Sequence, residues 1–348
     1  MVWTLFSVES MKKHWGKNNL IVLFGLIVLL ISLPASAGPV KEVSYLYKLS
    51  TFTGTASVGQ WPKLRLDRTN SEIYALSGDE IRVFDKNGME IYQIALVDDD
   101  AQAKEQLFVT DAAVKKNGDI LYLTLSYDKG KILSSLVVAN FRGDLLSRFE
   151  PRNFPPDLSG FQADRMLNLD GLLYLANLSE MRIVVIDEEG SFQRAYEIKP
   201  LLLKNRNEEL SRSRRKNASI PEEDLEMGDF AVDRGGNIVF TIPAAGSAYR
   251  LTPDLQLQLI SSRGSGANKF GIPAAIAADG RGNYLVSDVL RSVVMVFDKD
   301  LKYIDAFGGR SNGAASIIAP RGLVIDWNDR VYVSQVESMG VSVFQLSY

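Results

Sequence analysis

The chain has 348 residues, of which 46% are hydrophobic and 23% are charged, a composition typical of a folded protein. Its formal net charge is −3, so no positive excess favours a nucleic-acid backbone, and we expect no nucleic-acid partner. The chain contains no Cys and a single His, His14, which excludes a disulfide framework.

The first predicted element is an export signal over residues 1–37. Three lysines precede an apolar run from Leu20 to Leu33, and Ala35–Ala37 offers the small residues at which signal peptidase cleaves. The run has 14 residues, fewer than the about 20 that a spanning helix needs, so an uncleaved anchor is the less favoured alternative. We therefore predict a periplasmic or extracellular monomer with no membrane span after cleavage.

Cleavage would change what chemistry the chain can carry. The signal contains three Lys, one Glu and the single His, so the remaining chain has a net charge of about −5 and neither His nor Cys. A Ser-His-Asp triad, the usual zinc sites and His- or Cys-ligated haem are thereby excluded.

A repeat occupies the rest of the chain. Each copy combines a turn rich in Asp, Gly or Asn with short β-branched and aromatic runs, and Ile272–Asp298 is the clearest copy. One position recurs in every copy and is occupied by Tyr74, Tyr122, Tyr174, Phe240, Val286 and Tyr332. The spacings of 48, 52, 66, 46 and 46 residues suit units of four short strands. The sequence therefore predicts an all-β fold, a six-bladed β-propeller of four-stranded blades.

Ring closure is predicted from the two ends of the repeat region. The last copy ends soon after its third strand, while a spare β-rich run, Val43–Leu49, precedes the first copy. We predict that this N-terminal strand is the outer strand of the last blade, because closure protects sheet edges that otherwise aggregate.

The widest spacing holds an insertion at about residues 199–227. It contains the basic segment Arg212–Lys216 and the acidic segment Glu222–Asp224. We predict a helix over Leu201–Lys216, and Ser219–Glu222 matches a capping box that would open a second helix. A solvated loop and a docking arm on one propeller face are the two interpretations.

The segment Gly264–Asp298 resembles the NHL repeat. It has the Gly-rich linker of that family, then Phe270, Pro273 before the first strand, and a strand that ends at Asp288. The resemblance covers most of residues 43–348 and implies a six-bladed propeller of a kind that is mostly a binding platform. Some relatives bind RNA, and others in the wider six-bladed group are lyases or lactonases, so the resemblance does not settle function.

The resemblance leaves one metal-dependent route open. Gluconolactonase-like propellers hold a divalent metal with Glu, Asn and Asp around the channel, and the candidates here are Asp111, Asp164, Asp229 and Asp288. Such ligands suit Ca²⁺, and we expect no other cofactor. The alternative for these aspartates is turn chemistry within the repeat. Asp98–Asp100 lacks the spacing of a calcium loop, and we interpret it as a solvated turn.

Two pairs of residues are binding candidates. Trp61 and Arg321 lie beside the pre-strand prolines of the first and last blades, so we expect their loops to open on one face near the closure seam. Packing of Trp61 between blades is the alternative. Asp288 and Arg291 flank a turn in the fifth blade, where the family pattern implies a pair within the blade, with ligand contact as the alternative.

These features favour an exported, non-enzymatic scaffold that docks a protein partner of the cell envelope on a propeller face. The alternative is a metal-dependent, lactonase-like or gluconolactonase-like hydrolase with oxygen ligands at the channel mouth. Three or more converging carboxylate or amide oxygens would favour the enzyme, whereas an apolar or Arg-rich mouth would count against it.

Overall fold

In a computed structural model, the structure describes residues 40–348 apart from 56–57, 60, 68, 79, 96–107, 129–130, 213–220 and 337–338. The predicted signal, the Asp98–Asp100 turn and most of the basic segment Arg212–Lys216 lie outside the described residues. The described chain forms six antiparallel sheets of four strands each. No helix within it is long and apolar enough to cross a membrane.

The first three blades follow one another along the chain. Blade 1 contains β2 (Lys63–Asp67), β3 (Glu72–Ser77), β4 (Glu80–Phe84) and β5 (Glu90–Ala95). Blade 2 contains β6 (Val109–Val114), β7 (Ile120–Asp128), β8 (Lys131–Ala139) and β9 (Leu145–Phe149). Blade 3 contains β10 (Arg165–Leu169), β11 (Leu172–Asn177), β12 (Arg182–Asp187) and β13 (Phe192–Glu197), and a 3₁₀ turn, Pro156–Leu158, precedes it.

The last three blades complete the ring. Blade 4 contains β14 (Phe230–Val232), β15 (Ile238–Ile242), β16 (Ser247–Leu251) and β17 (Leu257–Ser261). Blade 5 contains β18 (Pro273–Ala278), β19 (Tyr284–Asp288), β20 (Val293–Phe297) and β21 (Tyr303–Gly308). Blade 6 contains β22 (Gly322–Ile325), β23 (Arg330–Ser334), β24 (Val341–Ser347) and β1 (Glu42–Lys48). The first strand of each consecutive set lines the central channel.

The predicted closure is confirmed. β1 pairs antiparallel with β24, from Glu42 opposite Ser347 to Lys48 opposite Ser342, and so becomes the outer strand of blade 6. The ring of Tyr45 packs edge-on against Phe344 at a centroid distance of 5.7 Å. Hydrogen bonds and an aromatic contact therefore join the two ends of the repeat region.

Buried apolar side chains form six clusters, and each cluster is shared by two adjacent blades. The repeated position found in the sequence lies on the second strand of every blade and is at most 4% exposed. Its members fill the space between neighbouring sheets, which is why an aromatic or branched apolar residue recurs there. No described blade has a core of its own, so each blade depends on its neighbours for burial.

Aspartates of the repeat close the turns between strands. Asp279 accepts hydrogen bonds from the backbone N–H groups of Arg281 and Asn283, both at 2.8 Å, and Asp233 and Asp326 do the same in blades 4 and 6. These aspartates therefore stabilise turns, and they are different residues from the metal candidates Asp111, Asp164, Asp229 and Asp288. In blade 3 the turn is Asp170-Gly171, whose φ angles of +52° and +82° suit a two-residue hairpin.

The insertion differs from its prediction in its helices. Helix α1 spans Ile198–Arg212 and begins three residues before the predicted start, because the buried Ile198 bonds through its N–H to the carbonyl of Met181. Where a second helix was predicted, the described residues form one 3₁₀ turn, Glu222–Asp224, with no side-chain cap. Buried Ile198, Leu202 and Leu225 pack both ends of the insertion against blades 3 and 4.

A disulfide can test the closure directly, because the chain has no other Cys. Glu42 and Ser347 are exposed and directly opposite each other, so Glu42→Cys with Ser347→Cys is expected to oxidise readily. The bond would close a loop of about 305 residues and raise the free energy of unfolding by up to about 5 kcal/mol, measured by chemical denaturation with and without reductant.

The control pair is Ser44→Cys with Ser347→Cys, which lies diagonally in the same register and is too far apart to bridge without backbone movement. Equal oxidation of the two pairs would contradict the register of β1 on β24.

Candidate functional site

The two ends of the channel differ in size. On one face lies a cavity of about 620 Å³, which we call the Trp61 mouth because Trp61 is among its lining residues. The other end is a shallow hollow of about 70 Å³ that includes Arg234 and Trp327. Charged side chains lining the Trp61 mouth are Lys63, Arg65, Arg165, Arg321, Asp164, Glu226 and Asp229. Only the Trp61 mouth is therefore large enough for a ligand group of several atoms.

The repeat explains why two of these cations meet. Lys63 pairs with Leu76, which is two residues after the repeated Tyr74 of blade 1. Arg165 pairs with Ala176, which is two residues after the repeated Tyr174 of blade 3. Lys63 and Arg165 thus occupy equivalent first positions of the inner strands of blades 1 and 3. Gly322 holds the same position in blade 6, where an added Cβ would approach the Cβ of Ser334 to 2.9 Å.

The surroundings of Lys63 destabilise its charged form. Its ammonium donates a hydrogen bond to the carbonyl of Thr110 and is otherwise largely withdrawn from water. Burial, followed by the positive charge of Arg165, lowers the pKa of Lys63 to about 8, although Asp111 and Asp164 oppose the shift. The charged form of Lys63 is therefore less stable here than it is in water.

Two donors in the mouth have no acceptor. Nε of Arg165 and Nε1 of Trp61 are both buried and make no hydrogen bond within the described chain. Arg165 also forms no ion pair with any described carboxylate, whereas four other arginines do. Such pairs join Arg65 to Asp111, Arg82 to Glu80 and Glu90, Arg182 to Glu180 and Glu197, and Arg281 to Asp329.

Asp111 is committed to the fold. It is fully buried and forms an ion pair with Arg65, while its Oδ2 accepts a hydrogen bond from the N–H of Met166 at 2.8 Å. Its Oδ1 accepts from the N–H of Ala112, also at 2.8 Å. Asp111 therefore ties together blades 1, 2 and 3 and has few lone pairs left for a metal.

Asp164 and Asp229 do line the Trp61 mouth, as the metal hypothesis requires. Burial raises the pKa of both carboxyl groups, while the positive charge of Arg165 acts against the shift in each. Asp164 accepts a weak hydrogen bond from the N–H of Leu178 at 3.3 Å. Across the described residues, no three Asp, Glu, His or Cys side chains are placed to hold one metal ion.

Asp288 and Arg291 lie in blade 5, on the second strand and the turn after it. The fully buried Asp288 accepts from the N–H groups of Gly271 at 2.6 Å and Arg291 at 2.9 Å. The guanidinium of Arg291 instead donates to the carbonyl of Gly264 at 2.8 Å. Both residues hold the Gly-rich linker of the blade, and neither lines the Trp61 mouth.

Trp61 and Arg321 are brought together across the seam between blades 1 and 6. The guanidinium of Arg321 lies 4.5 Å from the centre of the Trp61 ring, and both residues line the mouth. Trp61 has a φ of +47°, as does Ala319, which likewise precedes a proline. This conformation is unusual for a bulky residue and costs about 1–3 kcal/mol, so the backbone presents Trp61 at a strained position.

Sequence reasoning missed Lys63, Arg65 and Arg165. The alternation Lys63-Leu64-Arg65-Leu66 looks like an ordinary strand with one solvated face. A signal was nevertheless present, because aligning the inner strands puts Lys63 and Arg165 at a position where blade 6 has Gly322.

Comparisons with known proteins identify the fold. No family model and no curated protein sequence matches the chain. A solved protein of unknown function from Bacteroides thetaiotaomicron superposes with a TM-score of 0.56 and 11% identity, over 88% of this chain and 76% of that one. Hydrazine synthase from Kuenenia stuttgartiensis gives 0.51 and 12%, over 83% and 96%. Virginiamycin B lyase from Staphylococcus aureus gives 0.47 and 12%, over 82% and 80%.

The chain is a six-bladed β-propeller. At identities this low, the likeness to the first two structures shows the fold alone, and the third is too distant to support an argument. The chemistry of the Trp61 mouth therefore has to be argued from its own residues.

The lowered pKa of Lys63 makes a prediction about stability. The folded protein binds fewer protons at Lys63 than the unfolded chain between pH 8 and about 10.5, so this group makes the wild-type protein more stable as the pH rises through that window. Relative to Lys63→Met, wild type is expected to gain about 2 kcal/mol between pH 7.5 and 10, less than the full shift implies because the ammonium keeps some contact with water.

Chemical denaturation at both pH values measures this difference, and Lys299→Met, in an exposed turn of blade 5, is the control. A gap between wild type and Lys63→Met that stays constant with pH would show that Lys63 is not held in this way.

Proposed function

We propose that the protein is an exported, non-enzymatic binding propeller that docks a protein partner of the cell envelope at the Trp61 mouth. The observation that carries this proposal is the unpartnered Arg165 and Trp61 N–H groups in a cavity of about 620 Å³. A buried polar group without a partner costs free energy, so such groups in an open cavity are expected where a ligand supplies the missing bond. Trp and Arg are also the residues that most often anchor interfaces.

Export and family membership are parts of the same proposal. The basic, apolar and small-residue order over residues 1–37 supports export, and it would bring the propeller into contact with envelope proteins. Membership of the NHL-repeat proteins is supported by the linker, Phe270 and Pro273 of blade 5, where Asp288 and Arg291 hold the linker in place.

Capture from an envelope extract tests the docking face. Wild-type protein is expected to enrich a partner that Trp61→Ala with Arg321→Ala fails to enrich, because that double variant removes the seam side of the mouth. Trp327→Ala, at the other end of the channel, is the matched control and should capture as well as wild type. Quantitative mass spectrometry of the eluates makes the comparison at two salt concentrations.

The proposal fails if no protein is enriched at either salt concentration. It also fails if the double variant and the Trp327→Ala control enrich the same proteins equally.

A calcium-dependent hydrolase is the second candidate, favoured by the presence of Asp164 and Asp229 in one cavity. Two observations oppose it. Asp111 already pairs with Arg65 and accepts backbone hydrogen bonds, and the positive charges of Lys63 and Arg165 repel a cation.

Thermal melting with Ca²⁺ separates the two candidates. The binding proposal expects no rise in melting temperature at millimolar Ca²⁺, because the cations of the mouth disfavour a divalent ion. A rise of several degrees that Asp229→Asn abolishes would instead establish the metal site. Asp119→Asn, in an exposed turn of blade 2, is the control.

A further inference from the structure

The charge balance of the Trp61 mouth indicates what kind of group enters it. Its lining includes four basic and three acidic side chains, which gives a formal charge of +1. A single carboxylate would neutralise this charge, whereas a phosphate dianion would leave an excess of negative charge in a partly buried cavity. The mouth is therefore better matched to a monoanion.

The donors have the chemistry that a carboxylate requires. A guanidinium presents paired N–H groups that match the two oxygens of a carboxylate, and Arg165 has no carboxylate partner within the described chain. Lys63 lies close enough to Arg165 for their positive charges to repel each other. Within the described chain, the ammonium of Lys63 donates one hydrogen bond, to the carbonyl of Thr110. An anion between Lys63 and Arg165 would turn this repulsion into attraction.

The hydrogen-bond acceptors in the same cavity indicate which kind of molecule the bound carboxylate belongs to. Asp164 and Glu226 line the mouth and accept hydrogen bonds, so they suit N–H donors adjacent to the anion. The inner strands line a second, smaller cavity of about 120 Å³, which shares Arg65, Arg165 and Asp229 with the mouth. An internal loop would have to enter it as a doubled chain. A chain end carries one carboxylate next to a row of backbone N–H groups and enters as a single strand.

We propose that the Trp61 mouth binds the free C-terminal carboxylate of a partner polypeptide, held by Lys63, Arg165 and the indole N–H of Trp61. This inference rests on the proposed function and names the part of the partner that the mouth recognises. The backbone N–H groups that precede the terminus then face Asp164 and Glu226. Trp61, whose backbone is strained and whose ring is covered on one side by Arg321, lines the side of this site at the seam between blades 1 and 6.

Two peptide pools test the recognition of a chain end. Acetylated random octapeptides are made once with free carboxyl ends and once as C-terminal amides, and each pool is passed over the immobilised full-length protein. The free-acid pool is expected to be retained at least about tenfold better, because the amide lacks the charge that Lys63 and Arg165 require. Equal retention of the two pools would overturn the proposal.

Retained peptides then locate the site. With 5-fluorotryptophan in the chain, ¹⁹F resonances of Trp61 and Trp327 report on opposite ends of the channel. Binding is expected to shift the Trp61 resonance and leave that of Trp327 unchanged. A shift at Trp327 alone would contradict the assignment. Sodium glucuronate serves as a non-peptide carboxylate, and tighter binding of glucuronate than of the peptides would mean a sugar acid is the ligand and would also overturn the proposal.

Variants test the two cations separately. Arg165→Met is expected to weaken peptide binding by about 30-fold or more, while Arg234→Met, at the other end of the channel, leaves it unchanged. Arg165 has no ion pair within the described chain, but its charge favours the ionised forms of Asp164 and Asp229, so denaturation checks that Arg165→Met folds. Arg165→Lys keeps the charge but not the paired donors and should fall between the two. Binding by Arg165→Met at wild-type strength would refute the role of Arg165.

The pH dependence gives a readout specific to Lys63. The charged groups that act on Lys63 are Arg165, Arg65, Asp111 and Asp164, and the pKa of Lys63 itself is lowered to about 8. Wild-type affinity is expected to fall as the pH rises above about 8, while Lys63→Met binds more weakly and shows no such fall. A parallel decline in both proteins would contradict the role of Lys63.

The captured partner keeps the two proposals distinguishable. One outcome is that capture of the partner depends on Trp61 and Arg321 but survives both the removal of its last residues by carboxypeptidase and the Arg165→Met substitution. That outcome would support the docking function and contradict the binding of a C-terminal carboxylate. Loss of capture on both treatments supports both.

Discussion

The antiparallel pairing of β1 with β24 is the interaction on which the rest of the structure depends. Every buried apolar cluster is shared between two blades, so blades 1 and 6 are complete only when the ring is closed. The N-terminal strand supplies the missing edge of blade 6, and Leu49 beside it packs into the cluster between blades 6 and 1. Closure also sets Trp61 next to Arg321, which come from opposite ends of the repeat region.

A closed ring places equivalent positions of different blades around one axis. This is how Lys63 and Arg165, which are far apart in the sequence, reach the same cavity. In the same part of the ring, Arg65 and Asp111 form an ion pair that links three blades. The rigid packing of the inner strands lets the fold bear an unmatched pair at the mouth, because the cost is small against the burial shared by six blades.

Much of the fold was predictable because each repeat unit must satisfy the same local requirements. The second-strand position is apolar or aromatic in all six copies since it fills the space between blades, and Asp279 and its counterparts recur since their turns need an acceptor. The insertion was less predictable. The start of α1 depends on the burial of Ile198 against blade 3, a tertiary contact that no capping signal in the sequence reports.

By itself, the sequence determined the number of blades, the strand that closes the ring, the turn residues and the absence of His and Cys beyond residue 14. These follow from composition and spacing, which are local properties. Only the tertiary structure decided that Asp111 pairs with Arg65, that Asp288 supports a linker, and that Lys63 and Arg165 line the same cavity. The reason is that charge interactions and burial depend on distances through space, and the order of residues along the chain does not specify them until the ring is built.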